Sequence, residues 1–236
     1  MNIFTGELIG TFLLILLGNG VVANVVLNKT KGQNSGWIVI TFGWAIAVFV
    51  GVFVASKPSG AHINPAVTLA FAMLEKIEWS EVPQYLGGQM VGAMLGAFVM
   101  WASYRQHFTA TDDVAAKLAA FSTGPAIRNP LQNLISEIIG TFVLVFAVLF
   151  IVSPSSSLGA LDALPVALLV LGIGLSLGGP TGYAINPARD LGPRIMHAIL
   201  PLGKKGSSDW GYAWVPVVGP LIGGALAALL FNGYLS

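Results

Sequence analysis

The chain has 236 residues, 55% of them hydrophobic and 9% charged, with a net charge of +1 and no cysteine. A globular domain usually carries about 25% charged residues, so a chain this apolar belongs in a membrane. Near-neutral charge with Lys and Arg scattered over the polar segments excludes a nucleic-acid footprint, and the lack of cysteine excludes disulfide frameworks, thiolate metal sites and thiol catalysis.

The first apolar stretch, residues 3–27, carries Glu7 near its start and lacks a basic leading flank, so it reads as a retained helix and not as a secretory signal. A second stretch follows at 37–55 and a third at 82–104. Between them lies SGAHINPAVTLA, where Asn64, Pro65 and Ala66 open a helix over 64–74. Asn is a favoured N-cap and Pro suits the first helical position. Such a helix is about 15 Å long, half of a hydrocarbon core that is about 30 Å thick. Residues 105–130 form a polar connection before the apolar stretches at 131–152 and 164–177. The latter falls short of the roughly 17–25 residues of a span unless its neighbours extend it. TGYAINPARDLG then repeats the motif, with Asn186, Pro187 and Ala188 opening a half-helix over 186–198, and a last apolar stretch occupies 214–235.

Two halves are related by a repeat. GELIGTFLLILLG aligns with SEIIGTFVLVFAV, which sets Glu7 opposite Glu137, and GGQMVGAMLGA aligns with VGPLIGGALAA. Each half, 1–104 and 131–236, then holds three spans and one half-helix, and an odd number of spans inverts the second half. The expected fold is an all-α membrane protein of six transmembrane helices with two re-entrant half-helices that meet N-terminus to N-terminus near the midplane. Gly6 and Gly10, Gly88, Gly92 and Gly96, and Gly219 and Gly223 recur every four residues, a spacing that lets helix backbones pack closely in lipid.

Irregular backbone at membrane depth is tolerated only where protein buries it or water lines it. The runs before the half-helices are therefore expected to turn the carbonyls of Gly60, Ala61, His62, Gly182, Tyr183 and Ala184 toward a channel. Asn64 and Asn186 cap their helices and keep N–H donors for a passing molecule. Trp44 and Val48 share one face of the second span, as do Val170 and Gly174 on the fifth, and with Ile63 and Ile185 they read either as an apolar pore wall or as ordinary helix packing. A pore with one polar and one apolar wall suits small, uncharged, polyhydroxylated molecules. Arg189 is a costly charge at membrane depth; it either offers paired hydrogen bonds to a neutral solute while repelling cations, or forms an ion pair with Asp190. Adjacent helical residues point about 100° apart, which favours Asp190 toward loop backbone and Arg189 toward the lumen. Glu7 and Glu137 read as a proton relay or as acceptors for loop N–H groups, and their matched places favour the second role. A lone His62 beside a helix cap is a structural donor and not a metal ligand. The competing functional class is a proton-coupled secondary transporter that uses Glu7 or Glu137. An intramembrane enzyme would need a Ser/His pair or an Asp dyad, and the spans hold neither.

Together these residues resemble the major intrinsic protein family, the aquaporins and aquaglyceroporins. Asp190 after the second Asn-Pro-Ala, Trp44 twenty residues before Asn64 and Gly174 twelve before Asn186 look like its glycerol-conducting branch. The resemblance implies a passive channel for glycerol, water and similar neutral solutes, with a selectivity filter of Trp44, Gly174, Tyr183 and Arg189 on the extracellular side. It also implies a homotetramer in the lipid bilayer, cytoplasmic termini, and neither cofactor nor metal. Tyr183 departs from the Phe usual in bacterial glycerol facilitators, and its hydroxyl either narrows the filter or adds a hydrogen-bond partner. Cytoplasmic termini put Lys29, Lys31, Arg105, Lys117, Arg128, Lys204 and Lys205 outside and Lys57 and Lys76 inside, against the positive-inside rule.

Overall fold

No water reaches a bilayer core to bond backbone N–H and C=O groups, so each apolar stretch must satisfy them internally as a helix. The computed structural model describes residues 2–151 and 161–235. Its helices are α1 (Ile3–Val26), α2 (Trp37–Ser59), α3 (Pro65–Met73), α4 (Val82–Ala110), α5 (Val114–Ala119), α6 (Pro130–Ile151), α7 (Leu164–Leu177), α8 (Pro187–Ile199) and α9 (Val215–Leu235), with no strand among the described residues. Five of them, α1, α2, α4, α6 and α9, are long and apolar enough to cross a membrane. The fifth span, α7, has 14 residues between Ala163 and Gly178, and the described neighbours on either side do not lengthen it. Outward faces are apolar, as with Ile38, Phe42 and Ile46 on α2, while Glu7, Asn19, Gln89, Glu137, Asp190 and Arg194 are buried.

Three boundaries differ from expectation. The α2 helix runs to Ser59, four residues past the apolar stretch, although Pro58 lies inside it. Pro58 falls in the last turn, and Gly60 closes the helix in a left-handed conformation, with its N–H donating to the Ser56 carbonyl. The α4 helix continues to Ala110, where Arg105 packs over the Trp101 ring and the Tyr104 and His107 rings meet tilted, with centroids 5.8 Å apart. The polar connection is not bare loop: α5 is capped by Asp113, and Lys117 is buried, its Nζ donating to the carbonyls of Leu202 and Lys204 at 3.0 and 2.9 Å.

In each half the first helix packs against the second and third, α1 on α2 and α4, and α6 on α7 and α9. The half-helices are exchanged: α3 packs chiefly on α9, and α8 on α4. Small residues set these contacts. A Cβ at Gly96 would fall 2.6 Å from the Phe12 carbonyl oxygen, one at Gly92 would meet the Leu8 carbonyl, and one at Gly219 would lie 2.6 Å from the Glu137 Cβ. Gly10 backs directly on Ala55 and Ile63. The spaced glycines are therefore sites of close backbone approach.

Gly92→Val should force α1 and α4 apart. Overpacking of this kind costs about 1–3 kcal/mol, which corresponds to a thermal midpoint lower by about 3–10 °C in detergent. Gly211→Ala, where a Cβ meets open space, should leave the midpoint within about 2 °C.

Candidate functional site

The site grows from two short segments with the same backbone. Gly60, Ala61 and Ile63 have φ of 78°, 56° and 44°, and Gly182, Tyr183 and Ile185 have 82°, 40° and 44°. Left-handed φ is unfavourable for any side chain and most so for β-branched isoleucine, at about 1–3 kcal/mol per residue. A buried carboxylate holds each segment in this form. Glu7 accepts from the N–H groups of His62 (3.0 Å) and Ile63 (2.6 Å), from the Ser59 hydroxyl (2.6 Å) and from Gln89 Nε2 (2.7 Å). Glu137 accepts from the N–H groups of Ala184 (3.0 Å) and Ile185 (2.8 Å) and from the Thr181 hydroxyl (2.7 Å). Charge-assisted bonds are worth about 1.5–3 kcal/mol each, enough to offset the strain.

The carboxylates also aim the carbonyls. In a trans peptide the C=O points opposite the N–H, so an N–H turned to Glu7 turns the carbonyl of the preceding residue the other way. Ser59 Oγ and Thr181 Oγ1 accept from the N–H groups of Ala61 and Tyr183, which extends the row to Gly60 in the first segment. One cavity runs along both segments. Gly60, Ala61, His62, Ile63 and Asn64 line it from one, and Tyr183, Ala184, Ile185 and Asn186 from the other. Gly182 is not on this wall; its Cα faces Thr123.

At the junction the two halves bond reciprocally. Asn64 Nδ2 donates to the Ile185 carbonyl and Asn186 Nδ2 to the Ile63 carbonyl, both at 2.8 Å. Their Oδ1 atoms accept from Ala66 N–H in one case and from Ala188 and Arg189 N–H in the other. An amide NH₂ has two hydrogens, so each Asn keeps one for the cavity. Pro65 and Pro187 start the helices behind them, and the positive ends of both helix dipoles meet here.

The rest of the lining is apolar: Trp44, Val48 and Val170, with a second group of Leu14, Val52, Val67, Phe71, Leu144, Val148 and Val166. Sequence reasoning passed over the second group. Leu14 and Leu144 stand opposite each other in the repeat alignment, two helical turns after Glu7 and Glu137 on the same faces, a signal that could have found them.

Arg189 lies on the cavity wall with its guanidinium carbon 4.0 Å from the Trp44 ring centroid. Among the described residues no acceptor meets its side chain, which leaves its donors for the lumen. Asp190 turns away and accepts from the Thr123 N–H (2.7 Å) and hydroxyl (2.6 Å). Its ion pair is with Arg194, at 2.8 Å and fully buried, and not with Arg189. Arg194 also donates to the carbonyls of Thr123, Ser208 and Asp209, tying two loops over α8. An acid and a base four residues apart are helical neighbours, a signal that pointed to this pair.

Gly174 is not on the wall. Its missing side chain makes room for another residue and not for solute: a Cβ there would lie 2.8 Å from Tyr183 Cζ and 2.9 Å from Thr41 Cγ2. The Tyr183 hydroxyl is buried in this hollow with no hydrogen-bond partner, while the residue itself lines the cavity. His62 shares a hydrogen bond with Thr68 Oγ1 (3.1 Å) and its ring stacks on Tyr85, a structural setting. Among the described residues no three His, Asp or Glu side chains stand close enough to hold a metal ion.

The sequence profile of the major intrinsic proteins matches residues 1–231. The chain belongs to the major intrinsic protein family. Within that family it is 56% identical to the glycerol uptake facilitator protein of Streptococcus pneumoniae (strain ATCC BAA-255 / R6), over 98% of this chain and 99% of the relative. Glycerol uptake facilitator protein 3 of Lactiplantibacillus plantarum is also 56% identical, over 96% and 94%. The glycerol uptake facilitator protein of Bacillus subtilis (strain 168) is 52% identical, over 98% and 84%. The fold is similar to the X-ray structure of the aquaglyceroporin from Plasmodium falciparum, with a TM-score of 0.82 and 30% identity over 99% of this chain and 96% of that one. A multi-pass membrane protein with an aquaporin-like fold follows from the family and the apolar helices.

Replacing Glu137 separates the two roles open to it. Glu137→Gln keeps one acceptor oxygen and sets an NH₂ against a loop N–H. The thermal midpoint should fall by about 4–10 °C for a loss of roughly 2–3 kcal/mol, while solute flux per folded protein stays within about twofold. A carboxylate that carried protons during transport would instead lose its flux in protein of normal stability.

Proposed function

We propose that this chain is a passive channel in the cell membrane for glycerol, water and similar small uncharged solutes, and that it excludes ions and protons. The observation that carries this reading is the cavity's two-sided chemistry: aimed carbonyls and free Asn and Arg donors on one side, valines and leucines on the other. A polyol matches it group by group. Each hydroxyl donates to a carbonyl of the row and accepts from Asn64, Asn186 or Arg189, while the CH edge slides along Val48, Val148 and Val170. Burying an unbonded hydroxyl costs about 2–7 kcal/mol, and the row removes that cost at each step. The names of the relatives, glycerol uptake facilitators, support the same solute.

Arg189 and the two helix N-termini present positive charge to any cation, whose desolvation has no carboxylate on the wall to offset it. A water at the junction accepts from both Asn side chains, which directs its own hydrogens outward along the file and breaks proton hopping. Glu7 and Glu137 stand behind the loops, engaged by four and three donors, which argues against the proton-coupled transporter. The reading includes no covalent chemistry, no cofactor, a homotetramer with one path per subunit, and cytoplasmic termini. The last follows the family against the charge count, since a passive pore conducts both ways and is weakly constrained by orientation.

Stopped-flow light scattering on proteoliposomes tests the channel. Glycerol should relax the shrunken vesicles at least tenfold faster than in empty liposomes, with no uphill movement when a proton gradient is imposed. Gradient-driven accumulation would favour the transporter. Vesicles loaded with a pH dye should stay tight while glycerol passes.

Arg189→Val should remove the fixed charge and open the lumen beside Trp44. Proton or cation leakage should then rise by an order of magnitude or more while glycerol still passes. Unchanged leakage and unchanged solute ranking would remove Arg189 from the barrier.

A further inference from the structure

Trp37 opens α2 and shares its face with Thr41, Trp44 and Val48 at intervals of four, seven and eleven residues. Two of these, Trp44 and Val48, line the cavity. Trp37 does not, yet it touches the wall from behind. Its indole N–H donates to the Gly174 carbonyl at 3.0 Å, in the last turn of α7, where carbonyls lack an onward helical partner. Its ring meets the Tyr183 ring edge to face, with centroids 5.7 Å apart and planes at 77°.

The Tyr183 ring lies in a slot with glycine as its floor. A Cβ at Gly174 would fall 2.8 Å from Tyr183 Cζ, and one at Gly178 would fall 2.6 Å from Tyr183 Cδ1 and 2.8 Å from Trp37 Cζ2. Gly174 and Gly178 are one helical turn apart on α7, so the ring rests on bare backbone. Thr41 closes one side and Trp37 another. The Tyr183 hydroxyl makes no hydrogen bond, so steric contact alone fixes the ring, on a backbone held at φ 40°. Of the groups that make that contact, Trp37 is tied in place by a hydrogen bond to the opposing helix.

We infer that Trp37 is a positioning residue for solute size. By pinning its indole between α2 and α7 it holds the Tyr183 ring back against Gly174 and Gly178, and so sets the gap between Tyr183 and the Arg189–Trp44 pair. The inference rests on the solute path proposed above, and the trait it assigns is the ratio of permeabilities among polyols, not permeation as such.

The experiment measures permeability to water, glycerol and a four-carbon polyol, erythritol, in proteoliposomes carrying equal amounts of folded protein. Trp37→Ala frees the ring to swing outward, and the erythritol to glycerol ratio should rise about threefold or more. Trp37→Phe keeps the edge contact without the N–H and should give a smaller rise. Gly178→Ala pushes the ring the other way, so glycerol should fall at least threefold relative to water. In a Tyr183→Ala background, Trp37→Ala should leave the ratio where Tyr183→Ala alone put it, because no ring remains to be held. A purely structural Trp37 would lower all three solutes together and leave every ratio unchanged. Unchanged ratios in Trp37→Ala, or an additive effect in the double variant, overturn the inference; if Trp37→Ala does not fold, Trp37→Phe decides, and an unchanged erythritol to glycerol ratio there overturns it. An unmodified protein that passes no glycerol would instead overturn the channel reading.

Discussion

Everything in this structure answers to one constraint: two stretches of non-helical backbone sit at membrane depth and must not leave N–H groups without acceptors. Glu7 and Glu137 meet that need. Each sits on the first helix of its half and reaches behind a loop to take two consecutive N–H groups and a hydroxyl. The same bonds that remove the penalty on the donors turn the acceptors toward the cavity. Satisfying the backbone and building the polar wall are thus one act, and the isoleucines at positive φ are its local cost.

That arrangement holds only if the half-helices stay in register, and here the exchanged packing matters. Because α3 rests on α9 and α8 on α4, neither half can seat its own half-helix without the other. The paired Asn side chains then bond across the junction, each to the carbonyl just before the opposing motif. Asp190 and Arg194 extend the tie outward. They fasten α8 to the segments around Thr123 and Ser208, so the helix that carries Arg189 is anchored at both ends.

The apolar stretches, the Asn-Pro starts and the repeated glutamates were legible in the sequence because each rests on a local rule: span length, capping, or unsatisfied backbone. Both half-helices open on a proline directly after an asparagine cap. What was not legible depends on contacts between distant segments. Lys117 looked like a loop charge and is buried on the carbonyls of Leu202 and Lys204. Gly174 read as pore wall or ordinary packing, since a glycine implies space without saying what fills it; the filler is Tyr183 from another segment. Arg194 was readable from its spacing to Asp190 but stood outside the motif that drew attention to Arg189.

The repeat also explains how one end of the path differs from the other. The first and third helices of the halves are offset by 130 and 131 residues, but around the Asn-Pro-Ala segments and the helices that precede them positions 122 residues apart, the offset between Asn64 and Asn186, are equivalent. Arg189 then corresponds to Val67, Tyr183 to Ala61 and Trp44 to Val166, and all six line the cavity. One end is lined by small apolar side chains, and the other places a guanidinium over an indole beside a phenol ring. The helix behind adjusts in step: Val52 faces the cavity in the half with Ala61, and its counterpart Gly174 gives up its side chain in the half with Tyr183. The side chain missing at Gly174 leaves part of the room that the larger loop residue takes, and Gly178 leaves more. The two ends therefore differ by three larger residues on a symmetrical frame, and one glycine makes way for Tyr183.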